Sequence, residues 1–190
     1  MKHLSQIIFE GLEYLYHFTH IRNMINVLEK DRWMCSINDG VCDFKCPDYY
    51  ISFTRSQNTV SGYPTGLDET DLVKVVFNER KLHSRYKIRP ITFHKGSKKI
   101  AIKDEWEKRG KVDMFNSYKD EYMKQTNTEA EERLMTDDKY IQNISKYIHK
   151  LIINADKVSD DNLLRQLQEL CLKRKIECQI VPEKVFNNAH

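Results

Sequence analysis

The feature that most constrains this chain is a change of hydrophobic period within a few residues of one another near its start. Tyr14-Leu15-Tyr16-His17-Phe18-Thr19 is aromatic and β-branched, with Leu15, His17 and Thr19 alternating against Tyr14, Tyr16 and Phe18, as in a short strand. Immediately afterwards Ile21, Met24, Ile25 and Leu28 recur at i, i+3, i+4 and i+7, so His20 to Lys30 reads as a helix with one buried stripe. A strand that runs straight into such a helix calls for a sheet with helices packed on it. At the junction His17 and Thr19 present two hydrogen-bonding tips on one surface, ~6.5 Å apart along the strand. Taken alone, they read most simply as a core histidine satisfied by a carbonyl and a threonine that caps the helix.

The rest of the chain alternates in the same manner. Ser36 to Asp48 is rich in Asp, Asn, Gly and Pro and reads as a loop, and Tyr49-Tyr50-Ile51-Ser52-Phe53-Thr54 is a strand ending at Arg55. Ser56 to Gly66 is an irregular polar loop. Leu72 to Phe77 and Tyr86 to Phe93 have the composition of central strands, separated by a short helix at Glu79 to Ser84. Residues 95–125 form a charged, partly helical insertion. Tyr140, Ile141, Ile144, Tyr147 and Ile148 fall at helical spacing and hand over to a strand at Leu151-Ile152-Ile153. Asp160-Asp161 then caps a helix with Leu163, Leu164, Leu167, Leu170 and Cys171 on its apolar face, and Glu177 to Val181 makes a last strand before Pro182. The order implies a single α+β domain spanning 1–190, built on a split or bent sheet.

Composition narrows the class further. A chain of 190 residues buries a real core without staples. It has no apolar leader and no apolar run of ~18 residues, so the expectation is a soluble, cytoplasmic protein without membrane association. Five cysteines without a secretory signal predict reduced thiols. Cys171 and Cys178 lie in core-like contexts, and Cys35, Cys42 and Cys46 lack the paired rhythm of a zinc site, so no metal is expected. Lys and Arg (31) nearly balance Asp and Glu (28), so a net charge of +3 does not by itself indicate a nucleic-acid partner. Local clusters at Arg80-Lys81, Arg85-Lys87-Arg89, Lys95-Lys98-Lys99 and Lys108-Arg109-Lys111 would track phosphates only if folding brings some of them beside a cleft.

Three further positions carry chemistry. Arg55 ends an apolar strand, where its rigid fork suits bidentate contact with a phosphate or carboxylate. Glu129 and Glu131 are spaced to share one face of an extended segment, with Glu132 on the other beside Arg133. Crowded carboxylates raise one another's pKa, which suits acid–base work when they line a cleft, although acidic runs are more often solvated surface. Tyr16, Phe18, Tyr49, Tyr50 and Tyr63 are candidate stacking surfaces, with Tyr63, in the polar loop, the best placed.

The string Tyr16-His17-Phe18-Thr19-His20-Ile21-Arg22-Asn23-Met24, with Ile25 and Leu28, resembles the first strand and helix of DarT-type nucleic-acid ADP-ribosyltransferase toxins. Phe53-Thr54-Arg55-Ser56 resembles the strand-end arginine and serine of the same fold, and Glu129-Ala130-Glu131-Glu132-Arg133 resembles the strand with the catalytic glutamate, in the same order along the chain. The likeness covers about the first third and the glutamate segment. It implies an ADP-ribosyltransferase-like fold with a split, bent mixed sheet flanked by helices, and NAD as substrate. His17 and Thr19 would then hydrogen-bond ribose or the nicotinamide amide, Arg55 would face the pyrophosphate, and Ser56 and Tyr63 would line the dinucleotide site. Glu131 would be catalytic and Glu129 would orient the acceptor, with Glu132 taking over either role if the register slips by one. The same likeness implies nucleic acid, DNA or RNA, as acceptor in preference to protein, a toxic role in conflict with host or phage, and a neutralising antitoxin protein. An NAD glycohydrolase, with water as acceptor, and a non-catalytic binding module on the same scaffold are the other classes these residues permit.

Overall fold

The computed structural model describes residues 14–37, 48–54, 70–91 and 131–186. The strands are β1 (Tyr14–His20), β2 (Arg32–Met34), β3 (Ser36–Ile37), β4 (Tyr49–Thr54), β5 (Leu72–Asn78), β6 (Lys87–Ile91), β7 (Glu131–Thr136), β8 (Tyr140–Gln142), β9 (Ile148–Asn154) and β10 (Glu177–Val181). The helices are α1 (Ile21–Lys30), α2 (Glu79–His83), α3 (Asp161–Arg174) and α4 (Glu183–Phe186). The main sheet runs β10-β9-β5-β1-β4-β7-β6, with β3 also on β4, while β2 and β8 form a separate ribbon. Among the described strands only β9 and β10 are parallel, and α3 supplies the crossover that a parallel pair requires. The fold is therefore α+β with a mixed sheet, as the sequence implies. No helix among the described residues is long and apolar enough to cross a membrane.

The sheet is divided. β1 pairs along its whole length with β5, from Tyr14↔Asn78 to His20↔Leu72, but among the described residues it meets β4 only at Tyr16↔Thr54. β7 occupies one edge of β4 from Tyr49 to Thr54, so β1 and β3 share the other edge. β3 takes the end that β1 leaves vacant, through Ser36↔Tyr50 and Ile37↔Tyr49. One half of the sheet is thus β10-β9-β5-β1, and the other is β4-β7-β6 with β3.

The main core lies on one face. The α1 stripe Ile21, Met24, Ile25 and Leu28 packs with Leu15, Val73, Val75, Phe77, Leu151 and Ile153 from the strands, and with Leu167 and Cys171 of α3. Arg174, at the end of α3, locks the two helices together. It donates to the Leu28 carbonyl at 2.9 Å and the Glu29 carbonyl at 3.1 Å, and it pairs with Asp31 at 3.2 Å. A guanidinium at these carbonyls satisfies acceptors that the end of α1 leaves open. Asp160 caps α3 by accepting from the Asn162 and Leu163 amides, the role its position predicts. Cys171 is buried and Cys178 half-buried against the same core, and both are free thiols.

Three expectations need correction. Residues 140–148 are not a helix but strand β8, a 3-10 turn (Ile144–Lys146) and the start of β9. Ile141 pairs opposite Trp33, and Asn143 sits in the left-handed region at φ 54°, where an α-helix cannot continue. Ser36 and Ile37, within the expected loop, form β3 because β4 offers them a vacant edge. β6 ends the strand order beside β7 and is not central. The insertion at 95–125 lies outside the described residues.

The opposite face carries a smaller cluster of Tyr16, Leu72, Val76, Ile152 and Phe186, and in its midst the fully buried Lys74. Its Nζ donates to the Phe186 carbonyl at 2.5 Å and lies 4.9 Å from the Phe186 ring centroid, so it ties α4 to the sheet. Burial, reinforced by the charge of Lys150, pushes the Lys74 ammonium down from 10.5 to about 8. Between those values the unfolded chain holds the extra proton, so this contribution to stability grows as pH rises from about 8 towards 10.5. Wild type should therefore gain about 2–3 kcal/mol relative to Lys74→Met between pH 7 and pH 10, read by urea denaturation. A difference independent of pH would show that Lys74 is not held desolvated in this way.

Candidate functional site

Where the β1–β4 ladder fails, a side chain takes its place. His17 Nδ1 lies 2.7 Å from the Ser52 carbonyl oxygen of β4. A carbonyl only accepts, so Nδ1 carries the hydrogen, and in the neutral ring Nε2 is left with a lone pair. Burial lowers the His17 pKa, and the hydrogen bond to Ser52 offsets this only in part, so the ring is neutral at physiological pH. The core-histidine reading is half realised: one nitrogen is satisfied by a carbonyl, and the other is an acceptor suited to a hydroxyl or an amide N–H.

Trp33 holds the imidazole from beneath. Its ring meets His17 edge-on at 4.8 Å and 88°, then packs on Phe77 at 5.6 Å, which in turn meets Phe53 at 5.1 Å. This row of rings joins β1, β2, β4 and β5 across the division, and Trp33 with β3 stands as a wedge between the halves. Edge-to-face pairs of this kind add about 0.5–1.5 kcal/mol each beyond their burial and fix ring orientation.

Thr19 is buried, and its hydroxyl accepts from Asn23 Nδ2 at 3.4 Å. It is not the helix cap. His20 occupies the cap position of α1 without a capping side-chain bond, and the Ile21 amide is satisfied by the Asp71 carbonyl at 2.9 Å. His20 Nδ1 lies 3.1 Å from the Thr70 carbonyl, which fastens the strand-to-helix junction to the segment before β5.

The glutamate segment starts β7. Glu131 stands opposite Thr54, and Thr54 opposite Tyr16, so Glu131 lies two strands from β1, about 10 Å away at ordinary interstrand spacing. Glu132 stands opposite Phe53, in the alternate set that has the register parity of Leu15, His17 and Thr19. Arg133 lies over the Tyr50 ring at 4.1 Å, which anchors β7 to β4. Arg55 directly follows Thr54. Arg55, Ser56, Tyr63 and Glu129 lie outside the described residues, as do Cys42 and Cys46. Among the described residues no group of His, Cys, Asp and Glu is arranged to hold a metal ion.

Neither the Ser52 carbonyl nor Trp33 stands out in the sequence as part of a site. A backbone oxygen has no residue type, and a tryptophan three residues beyond a helix is ordinarily only core.

No protein-family model matches the sequence, and no curated protein matches it. Among solved structures, Thermus sp. 2.9 DarT in complex with NAD+ is similar with a TM-score of 0.50 at 10% identity, over 89% of this chain and 95% of that one. Thermosipho africanus DarTG in complex with ADP-ribose is similar with a TM-score of 0.52 at 15% identity, over 92% of this chain and 50% of that one. At these identities the likeness is one of fold: the chain has the DarT-like α+β fold that its opening motif resembles.

The two nitrogens of His17 are separable by substitution. His17→Ala removes the Ser52 bond and should cost about 1–3 kcal/mol in urea denaturation, whereas His17→Asn, whose amide reaches the Nδ1 position, should retain more than half of that. Because the folded ring resists protonation, wild type should lose stability relative to His17→Asn as pH falls below 6.5. Parallel pH profiles for the two proteins would contradict the half-buried, neutral imidazole.

Proposed function

We propose that this chain is a mono-ADP-ribosyltransferase that takes ADP-ribose from NAD and transfers it to a nucleic-acid acceptor, DNA or RNA. The observation that carries the reading is the divided sheet, with a neutral His17 acceptor at the division and Glu131 heading the strand two places across. Apolar packing beside a few fixed polar groups is the kind of lining that suits a dinucleotide. The solved DarT with NAD+ bound shares this fold and supports NAD as the ligand.

In this reading His17 Nε2 accepts from a ribose hydroxyl or the nicotinamide amide, with Thr19 beside it. Arg55, immediately after β4, meets the pyrophosphate as a bidentate donor, and Ser56 and Tyr63 complete the dinucleotide site. The bond from the ribose anomeric carbon to the nicotinamide nitrogen breaks with its electron pair leaving on nicotinamide, and the ribose passes through an oxocarbenium-like state. Glu131 stabilises that charge through the ribose hydroxyl, an interaction stronger in the transition state than in the ground state. The acceptor atom then bonds to the anomeric carbon and loses its proton to Glu131 or to Glu129. Such an activity in the cytoplasm damages the cell that makes it, so a toxic role and a neutralising protein partner follow from the same reading.

Labelled NAD tests this directly. Glu131→Gln should lower transfer by ~10²-fold or more while leaving the fold and the NAD-induced rise in melting temperature in place. Glu132→Gln, one register position away, should be much less affected. Label is expected on oligonucleotide. Label on protein would move the acceptor to a side chain, and free ADP-ribose without acceptor would make the protein a glycohydrolase. Absence of any NAD-dependent shift in wild-type melting would remove both enzymatic readings.

A further inference from the structure

One end of the sheet gathers the start of β1, the end of β5 and the start of β9. Tyr14 pairs with Asn78, and the Asn78 amide donates to the Tyr147 carbonyl at 2.8 Å, just before β9. The exposed His149 ring stacks on Tyr14, with centroids 4.7 Å apart and planes 24° from parallel. Asn78 also caps α2 by accepting from the Lys81 amide, so this short basic helix starts at the same end of the sheet.

The charge here is mainly positive, with the exposed Glu177 opposite Lys150 on β10. Arg80, Lys81, Arg85 and Lys146 are exposed, and Lys150 is half-buried one residue beyond His149. Burial lowers the His149 pKa most and Lys150 adds to this, while Lys81 contributes less than the opposing effect of Glu177. Glu79, the acid within α2, is buried. Cations far apart in sequence (80–85 and 146–150) are therefore brought together around the stacked pair of a half-buried Tyr14 and an exposed His149.

This end is also the end at which β4 finishes and β7 begins. Register runs unbroken across the sheet from Glu177 through Lys150, Val76, Tyr16 and Thr54 to Glu131. Lys150 is four strands from Glu131, about 19 Å at ordinary spacing. We propose that the strand end formed by Tyr14, Lys81, Lys146, His149 and Lys150 binds the acceptor as a single strand, with the lysines on successive phosphates and the Tyr14–His149 stack under an unpaired base. The inference rests on the nucleic-acid reading above and adds the surface that leads the strand towards Glu131. An open stack of rings with flanking cations fits a single strand better than a duplex, whose bases offer no free face.

The test uses the full chain and fluorescence anisotropy with a labelled 20-nucleotide single strand. Lys81→Glu/Lys146→Glu/Lys150→Glu should weaken binding by at least ~10-fold, and the charge-neutral Gln triple should flatten the slope of log affinity against log salt by about 2, at ~0.7 for each phosphate no longer neutralised. His149→Ala should weaken binding ~5-fold or more at every salt concentration, as expected when a base has one ring fewer to stack on. Melting curves establish that each variant folds, and wild type and variants should show the same NAD-induced melting shift. Unchanged affinity and salt slope in both lysine triples, or tighter binding of a duplex than of its single strand, would overturn the proposal. If wild type shows no NAD shift but the lysine variants still fail to hold the strand, the transferase reading fails and this surface stands.

Discussion

The hydrogen bond from His17 to the Ser52 carbonyl carries a structural burden out of proportion to its size. Among the described residues β1 and β4 are joined by the Tyr16–Thr54 pair and this imidazole. An ordinary antiparallel ladder would have continued through positions 18 and 20 and joined the halves in one surface. A side chain instead spans the gap at one point, leaving polar backbone on either side to be met by other groups. The same bond fixes the tautomer, so the residue that joins the halves also presents a lone pair. Structural and chemical roles are set by one proton.

Holding two halves apart requires a filler, and the filler here is apolar. Trp33 and the short β3 occupy the space that a continued β1 would have taken, and Trp33, Phe77 and Phe53 carry the packing from one half to the other. On the far face α4 covers Tyr16 and Val76, anchored by a lysine rather than a hydrophobe. Burying that ammonium is unfavourable, and the Phe186 carbonyl offsets only part of the cost. A cation buried against the last helix is thus a point at which the covering of this face responds to pH.

Much of this was legible in the sequence, for a physical reason. The β1–α1 junction, β4, β5, α3 and β10 each bury one face or both, and their burial imposes period 2, period 3.6 or a continuous apolar run. The failures are equally instructive. Tyr140, Ile141, Ile144, Tyr147 and Ile148 fall at helical spacing because a strand, a 3-10 turn and a second strand happen to turn their apolar residues inward at those intervals. The left-handed Asn143 that breaks the pattern has no unique signature, since asparagine tolerates both conformations. β3 was unreadable because its partner edge exists only once β1 has left β4. Of the site, His17 and Thr19 could be found as a pair on one strand, but the Ser52 carbonyl and Trp33 emerge only from tertiary contact.

The division also bears on how such a site reaches reactive geometry. His17 and Thr19 ride on the half that includes β5 and β9, while Arg55 and Glu131 follow from the half built on β4 and β7. A substrate held by the first half must meet a carboxylate carried by the second with its reacting atoms placed to within about 1 Å, since misplacement on that scale costs ~10²-fold in rate. The joint between the halves therefore contributes to catalysis although none of its atoms reacts. That also bears on the choice between Glu131 and Glu132. Ile51, Phe53 and Leu134 pack in the same core as Leu15, Val75 and Phe77, so the faces continue across the division, and register alternation gives Glu132 the parity of His17 and Glu131 that of Tyr16. The choice of Glu131 therefore rests on the resemblance of residues 129–133 and not on register.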